Sequence, residues 1–326
     1  LNSFGFGSGG TANSQTATYS LEGISGELNG APTSTVNSTI KSGFVQTEQV
    51  PVPLIASVDN NGGLYYNKLH FVIDTQNNPT DSSYLVSVST DNFASNLTYV
   101  QPDGTLSATL NLADYQTYAS WGGASGSVII GLTPATTYYV RVRAAQSNFT
   151  ESIDSPSVSQ ATASATITFD LVTSAGPTPP YTVSLGTLTA GSINSGNNTI
   201  NTTLTTNGAS GGDVYISSQN GGLLSSSTSY LIAAVSNDLS VTSEGFGAQN
   251  SSVTQTSGGP YTVQTPYNGS GNNVGIISTL IRSLYSSTAP VTGGNGVLTL
   301  KAKASNTAVA ATDYQEVITF TAAANF

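Results

Sequence analysis

The sequence predicts an all-β protein made of tandem β-sandwich domains, of the immunoglobulin or fibronectin III-like kind, with an extended N-terminal segment. Three observations lead there. Short alternating or β-branched runs recur along the chain: LHFVID (69–74), YLVSVST (84–90), TYYVRVRA (137–144), ATITFDLV (165–172), DVYISS (213–218), GVLTLKAKA (296–304) and EVITFTA (316–322). Turn-forming clusters such as DNNGG (59–63), QPDG (101–104), NGASGG (207–212) and TGGNG (292–296) separate them at sandwich spacing. Finally, 326 residues with 37% hydrophobic content suffice for two or three cores and exclude a disordered chain.

Composition shifts divide the chain. Residues 1–50 form an extended segment, 51–162 a first sandwich opening on PVPLIAS, and 163–326 a second, beginning after the small-residue stretch SQATASA. One stretch has apolar residues at helical spacing, NVGIISTLIRSLYSS (273–287). Ser and Thr fill much of the rest, so helix and non-helix stay open there.

Only 7% of residues are charged, against roughly 25% in an ordinary soluble domain, so neutral Ser, Thr, Asn and Gly must solvate the surface. Net charge is −10 with no basic cluster denser than Arg141 with Arg143 or Lys301 with Lys303, which argues against nucleic-acid binding. No apolar run is long enough to span a membrane. Cysteine and methionine are both absent, which removes disulfides, thiolate metal sites and a cysteine nucleophile. The first residue is Leu1, as expected of a processed, secreted chain.

The most specific motif is GLTPATTYYVRVRA (131–144). Leu132, Pro134, Thr136 and Tyr138 stand in an L-x-P-x-T-x-Y arrangement before an alternating strand. This resembles the fibronectin type III domain at its E–F corner and F strand. The resemblance implies that the Tyr138 hydroxyl bonds back to the main chain and that Leu132 is a core residue. It covers about 110 residues, with one departure: Phe71 stands where the family places an early core tryptophan. More loosely, TINTTLTTNGASGGDVYISS, SEGFGAQ and DYQEVITFTAAANF resemble repetitive β-sandwich surface proteins of bacteria and archaea. That implies an exported, surface-attached or fibre-forming protein.

Catalytic constellations are scarce. The sole histidine, His70, lies in a strand-like run with Asp74 four residues on. A serine hydrolase would have to use it. GASGG (208–212) matches G-x-S-x-G around Ser210 but precedes another strand, where a nucleophile elbow needs a helix. Asp59, Asp74 and Asp81 sit in turns without the calcium-loop pattern. The expectation is a non-enzyme without cofactor or metal. Lys68, Lys301 and Lys303 could serve an Asn–Lys isopeptide cross-link or simply guard strand edges. Seven N-x-[ST] sequons are about what the Asn, Ser and Thr content produces by chance, so they leave glycosylation open.

In LNSFGFGSGG, Phe4 and Phe6 point to one face of an extended chain, and glycines leave the other face bare. TATYSLEG (16–23) puts Tyr19 and Leu21 on one face too. Segments like these cannot hold a sheet alone but can complete another copy's sheet. Self-docking and a frayed terminus are the alternatives. The first expectation is therefore a secreted or cell-surface filament subunit, self-associating by donating Phe4, Phe6, Tyr19 and Leu21. Its acceptor groove would lie in the C-terminal domain, beside the strand within EVITFTAAANF. The second is a monomeric adhesin that meets glycans or a neighbouring cell through Trp121, in the glycine-rich loop YASWGGASGS (118–127).

Overall fold

The computed structural model describes residues 50–146 and 150–326, together with four two-residue strands nearer the N-terminus. Ser14–Gln15 pairs with Ser20–Leu21, and Thr33–Ser34 with Thr39–Ile40. Every pairing between strands is antiparallel, and the described residues contain no α-helix, only short 3-10 turns. The protein is all-β. The stretch 273–287, which its spacing left open between helix and non-helix, is not helical: Asn273–Val274 and Arg282–Ser287 are strands. Ile277, Leu284 and Tyr285 are buried, but Leu280 and Ile281 are exposed. The supposed helical stripe therefore never shares one face. The chain divides into two compact units at Ser164/Ala165.

The principal strands of the first unit are β1 (Leu54–Asp59), β2 (Lys68–Asp74), β3 (Ser82–Ser89), β4 (Thr98–Val100), β5 (Ser127–Ile130), β6 (Thr137–Gln146) and β7 (Val158–Ala161). One sheet runs β5-β2-β1; the other carries β4-β3-β6, with β7 pairing the first half of β6. Period-2 alternation decides what faces inward. On β2, Leu69, Phe71 and Ile73 are buried while Lys68, His70 and Val72 are only half-buried. They meet Val86 and Val88 of β3 and Val140 and Val142 of β6, all fully buried. At the start of β6 the Tyr138 hydroxyl accepts a hydrogen bond from the backbone N–H of Thr133 at 2.9 Å. Leu132 is buried beside it, and the Pro134 carbonyl accepts from the Thr136 hydroxyl. The turn Thr133–Thr136 is thus tied through Tyr138 to the strand it feeds and braced within itself at Thr136.

Trp121 corrects the sequence expectation. It is 2% exposed; its ring meets Phe71 edge to face at 5.5 Å, and its Nε1 donates to the Tyr84 carbonyl at 2.8 Å. The indole fills, from a loop, the core space beside Phe71, so it offers no surface to a ligand. A ring this large gains most by leaving water, and its one polar atom has a main-chain acceptor inside.

The second unit contains β8 (Ile167–Thr173), β9 (Ile193–Ser195), β10 (Ile200–Thr206), β11 (Gly212–Ser218), β12 (Gly222–Ser225), β13 (Gly245–Thr254), β14 (Tyr261–Val263), β15 (Arg282–Ser287), β16 (Val291–Lys303) and β17 (Ile318–Ala324). One sheet is centred on β16, flanked by β13 on one side and by β9 and β10 on the other, with β8 outside β10. The second sheet runs β14-β15-β11-β17. Leu204, Val214, Ile216, Leu284, Tyr285 and Leu298 fill the space between them. Gly296 on β16 is required there: a Cβ would enter the Tyr285 ring, whose hydroxyl reaches Asn250 on β13.

Truncation of Trp121 to Ala should destabilise the first unit by about 3–5 kcal/mol through cavity formation and the orphaned Tyr84 carbonyl, as read by calorimetry. Tyr138→Phe should cost about 1–3 kcal/mol by leaving the Thr133 N–H unpaired. Trp121 fluorescence during urea unfolding would report it. An unchanged midpoint would show that the corner bond is not stabilising.

Candidate functional site

The feature that distinguishes the second unit is a seam its own sheets do not close. Among the described residues β8 pairs only with β10, and β17 only with β11, so each presents one edge that no described strand covers. Both begin with the same triplet, Ile-Thr-Phe, and alternate from there. Phe169 and Leu171 of β8 turn inward, as do Ile318 and Phe320 of β17, while Thr168, Asp170, Thr319 and Thr321 face water. Yet these four inward side chains are only half-buried, whereas Leu204 and Ile216 on the neighbouring inner strands are 0% and 1% exposed. A sealed sandwich would bury both sets equally.

Between the two edges lies a groove of about 1020 Å³. Its floor is core surface: Ile200, Leu223, Ile232, Phe246 and Leu300. One wall is the segment Tyr181–Ala190; the other is the chain from Ser305 to Glu316, including Ala308, Val309, Ala310 and Ala311. The second wall is clamped. The Glu316 carboxylate accepts from the backbone N–H groups of Gln219, Asn220, Gly222 and Val317 at 2.8–3.1 Å. Asp313 accepts from the Ser225 and Ser226 hydroxyls and from Ser227 N. The Ser225 bond, then the Ser227 N–H, hold the Asp313 carboxyl well below the usual carboxylate range. Glu316, the one carboxylate lining the groove among the described residues, is thus engaged by four N–H groups. The rest of the lining mixes apolar side chains with neutral polar ones such as Thr173, Ser184, Ser305 and Gln315, beside main-chain edges, and such a surface can receive an extended peptide.

Of the residues singled out from sequence, Phe4, Phe6 and Tyr19 lie outside the described residues. Leu21 lies in the strand Ser20–Leu21, opposite Ser14. Leu132, Pro134 and Tyr138 form the corner of the first unit, and Trp121 its core. Ser210 lies in the turn between β10 and β11, its N–H on the Asn325 carbonyl. Lys303 Nζ donates to the carbonyls of Leu239 and Thr242, Lys301 to that of Gly271, and Lys68 lies over the Tyr65 ring. Arg141 and Arg143 are paired with Asp154, and Arg143 also with Glu151. Asp59 and Asp74 cap their own turns through Asn61 N and Gln76 N. The groove-wall segment Tyr181–Leu188 went unnoticed, although Y-T-V-S-L-G alternates directly after the breaker PTPP.

His70 is a tie between three elements. Its Nδ1 meets Asp59 Oδ2 on β1 at 3.0 Å, and its Nε2 meets the Ser125 carbonyl at 2.7 Å, in the loop that carries Trp121. Two acceptors suit an imidazolium. Burial alone would lower the pKa, but the bonds to Asp59 and Ser125 outweigh it and the net shift is upward. The His70 bond, then the Asn61 N–H, lower that of Asp59. No family model matches the chain, and no curated protein matches it.

The His70 contribution to stability is complete below the ordinary histidine pKa of about 6.5 and is lost as pH rises through its raised folded value. Asp59's contribution is present above about pH 4 and lost below it. The first unit should therefore melt lower at pH 8.5 than at pH 5.5. Both partners are partly exposed, so the difference should be at most about 1 kcal/mol. His70→Gln should abolish this step, and a step surviving in that variant would assign it elsewhere.

Proposed function

We propose that this protein is the structural subunit of an extracellular filament or surface layer. Copies join head to tail: the N-terminal segment of one enters the groove between β8 and β17 of the next. Support comes from one observation above all, that two apolar edge strands flank a groove whose inward side chains are left half-buried. A strand added there would give the free main-chain edge of β8 or β17 its partner. Phe4 and Phe6, two residues apart, would present rings to the Phe169, Leu171, Ile318 and Phe320 side chains. Each ring fully buried contributes about 1.5–3 kcal/mol, and the intervening glycine permits close backbone approach. Because donor and acceptor are different surfaces of one chain, the contact is heterologous and propagates. The protein acts as a non-catalytic building block.

Electron microscopy of the purified chain should show filaments, and removal of residues 1–10 should leave dispersed particles. Phe320→Arg should likewise stop assembly by placing a charge in the groove. The truncated chain keeps its acceptor and the Phe320→Arg chain keeps its donor, so mixing them should give heterodimers and nothing longer. Filaments formed by the truncated chain alone would refute strand donation by this segment.

A further inference from the structure

The groove wall formed by residues 181–188 is built unlike the strands it packs beside. Residues 181–186 read Tyr-Thr-Val-Ser-Leu-Gly and alternate strictly. Tyr181, Val183 and Leu185 are half-buried; Thr182, Ser184 and Gly186 are exposed. Val183, Leu185 and Leu188 pack against the same core cluster as Phe169, Leu171, Ile318 and Phe320. The segment thus places its side chains as a strand would. Its main chain does not follow. Among the described residues, 181–188 enter a single backbone–backbone hydrogen bond, from Asn197 N to Ser184 O at 2.9 Å. Side chains supply the rest: Asn197 Oδ1 accepts from Ser184 N, Asn194 Nδ2 donates to the carbonyls of Leu185 and Thr187, the Ser184 hydroxyl accepts from Gly186 N, and the Tyr181 hydroxyl donates to the Pro177 carbonyl. Neither free edge, β8 or β17, pairs with it. The opposite wall, by contrast, is pinned by the carboxylates of Asp313 and Glu316.

We propose that Tyr181–Leu188 is a place-holder: it covers the apolar groove of the unassembled protein and is displaced when a strand from a second copy enters. The inference rests on the strand-donation reading and adds to it an autoinhibitory contact within the acceptor. The exchange is favourable because an incoming strand can form a ladder with an edge that the place-holder leaves unpaired, while apolar burial is roughly conserved. Displacement breaks one main-chain hydrogen bond, from Asn197 N to Ser184 O, and a few side-chain bonds to Asn194 and Asn197. The device also explains how a chain with an open sandwich seam avoids exposing it before assembly.

The chain has no cysteine, so an engineered pair is unambiguous. A Cβ at Gly196 would lie 2.5 Å from Val183 Cγ1, which puts the two positions within disulfide reach. The experiment follows filament growth of the full chain by light scattering and electron microscopy, beside the double variant Val183→Cys, Gly196→Cys. The oxidised variant should assemble at least tenfold more slowly than wild type and recover on reduction. Leu185→Asn, which loosens the place-holder without a cross-link, should shorten the lag several-fold. Oxidised and reduced double variants assembling equally fast, beside assembling wild type, would overturn the place-holder and leave strand donation standing. Failure of the wild type to assemble would remove strand donation and the place-holder with it.

Discussion

An antiparallel strand with one neighbour has half of its main-chain groups satisfied, and the second unit is organised around two strands in that condition. β8 and β17 end their respective sheets on the same flank, each with an apolar inward face and no further partner among the described residues. The groove, the half-buried phenylalanines and the unladdered segment beside them all follow from that single shortfall. Fully sealing the flank would need one more strand. A strand from outside supplies hydrogen bonds without any sequence requirement and specificity through alternate side chains. The same shortfall that leaves one subunit incomplete therefore gives a chain of subunits its joint.

The first unit shows the complementary solution, in which the chain supplies every piece itself. Phe71 is smaller than the space between the sheets requires, and Trp121 enters from a loop to fill it. His70 then ties that loop back to β1 and β2 through Asp59 and Ser125. Tyr138 closes the opposite corner. These are point contacts on the sandwich that the described residues form.

Much of this was legible in the sequence, and the limits have physical causes. Strands such as LHFVID and TYYVRVRA announce themselves because side-chain alternation is local. The tyrosine corner was legible because donor and acceptor lie five residues apart. Trp121 was misjudged because flanking glycines describe a loop's backbone and say nothing of where its side chain goes. The 273–287 stretch carried helical spacing, yet long-range pairing of Arg282–Ser287 with β11 decided its state. ITFD and ITFT read as strands, but being an edge is a property of the whole sheet's order and has no local signature. The segment Tyr181–Leu188 has the pattern of a strand without the pairing, which no reading of alternation distinguishes.

The way the acidic side chains are used has a consequence for the conditions the protein can withstand. Asp91 accepts from the Ser89 and Ser95 hydroxyls and from the N–H groups of Ser95 and Asn96, and Asp313 and Glu316 are held in the same manner. Bonds from the Ser95 and Ser89 side chains first, then from those amides, hold the Asp91 carboxyl far below the usual carboxylate range. Such turns take their order from neutral donors at contact distance rather than from opposite charges across space. Dissolved ions screen charges separated by solvent but cannot intervene between a carboxylate oxygen and an N–H 3 Å away. The Asp91 and Asp313 carboxylates also stay ionised in water acidic enough to protonate ordinary ones. Order of this kind is carried by contact distances within each turn, so added salt leaves it in place.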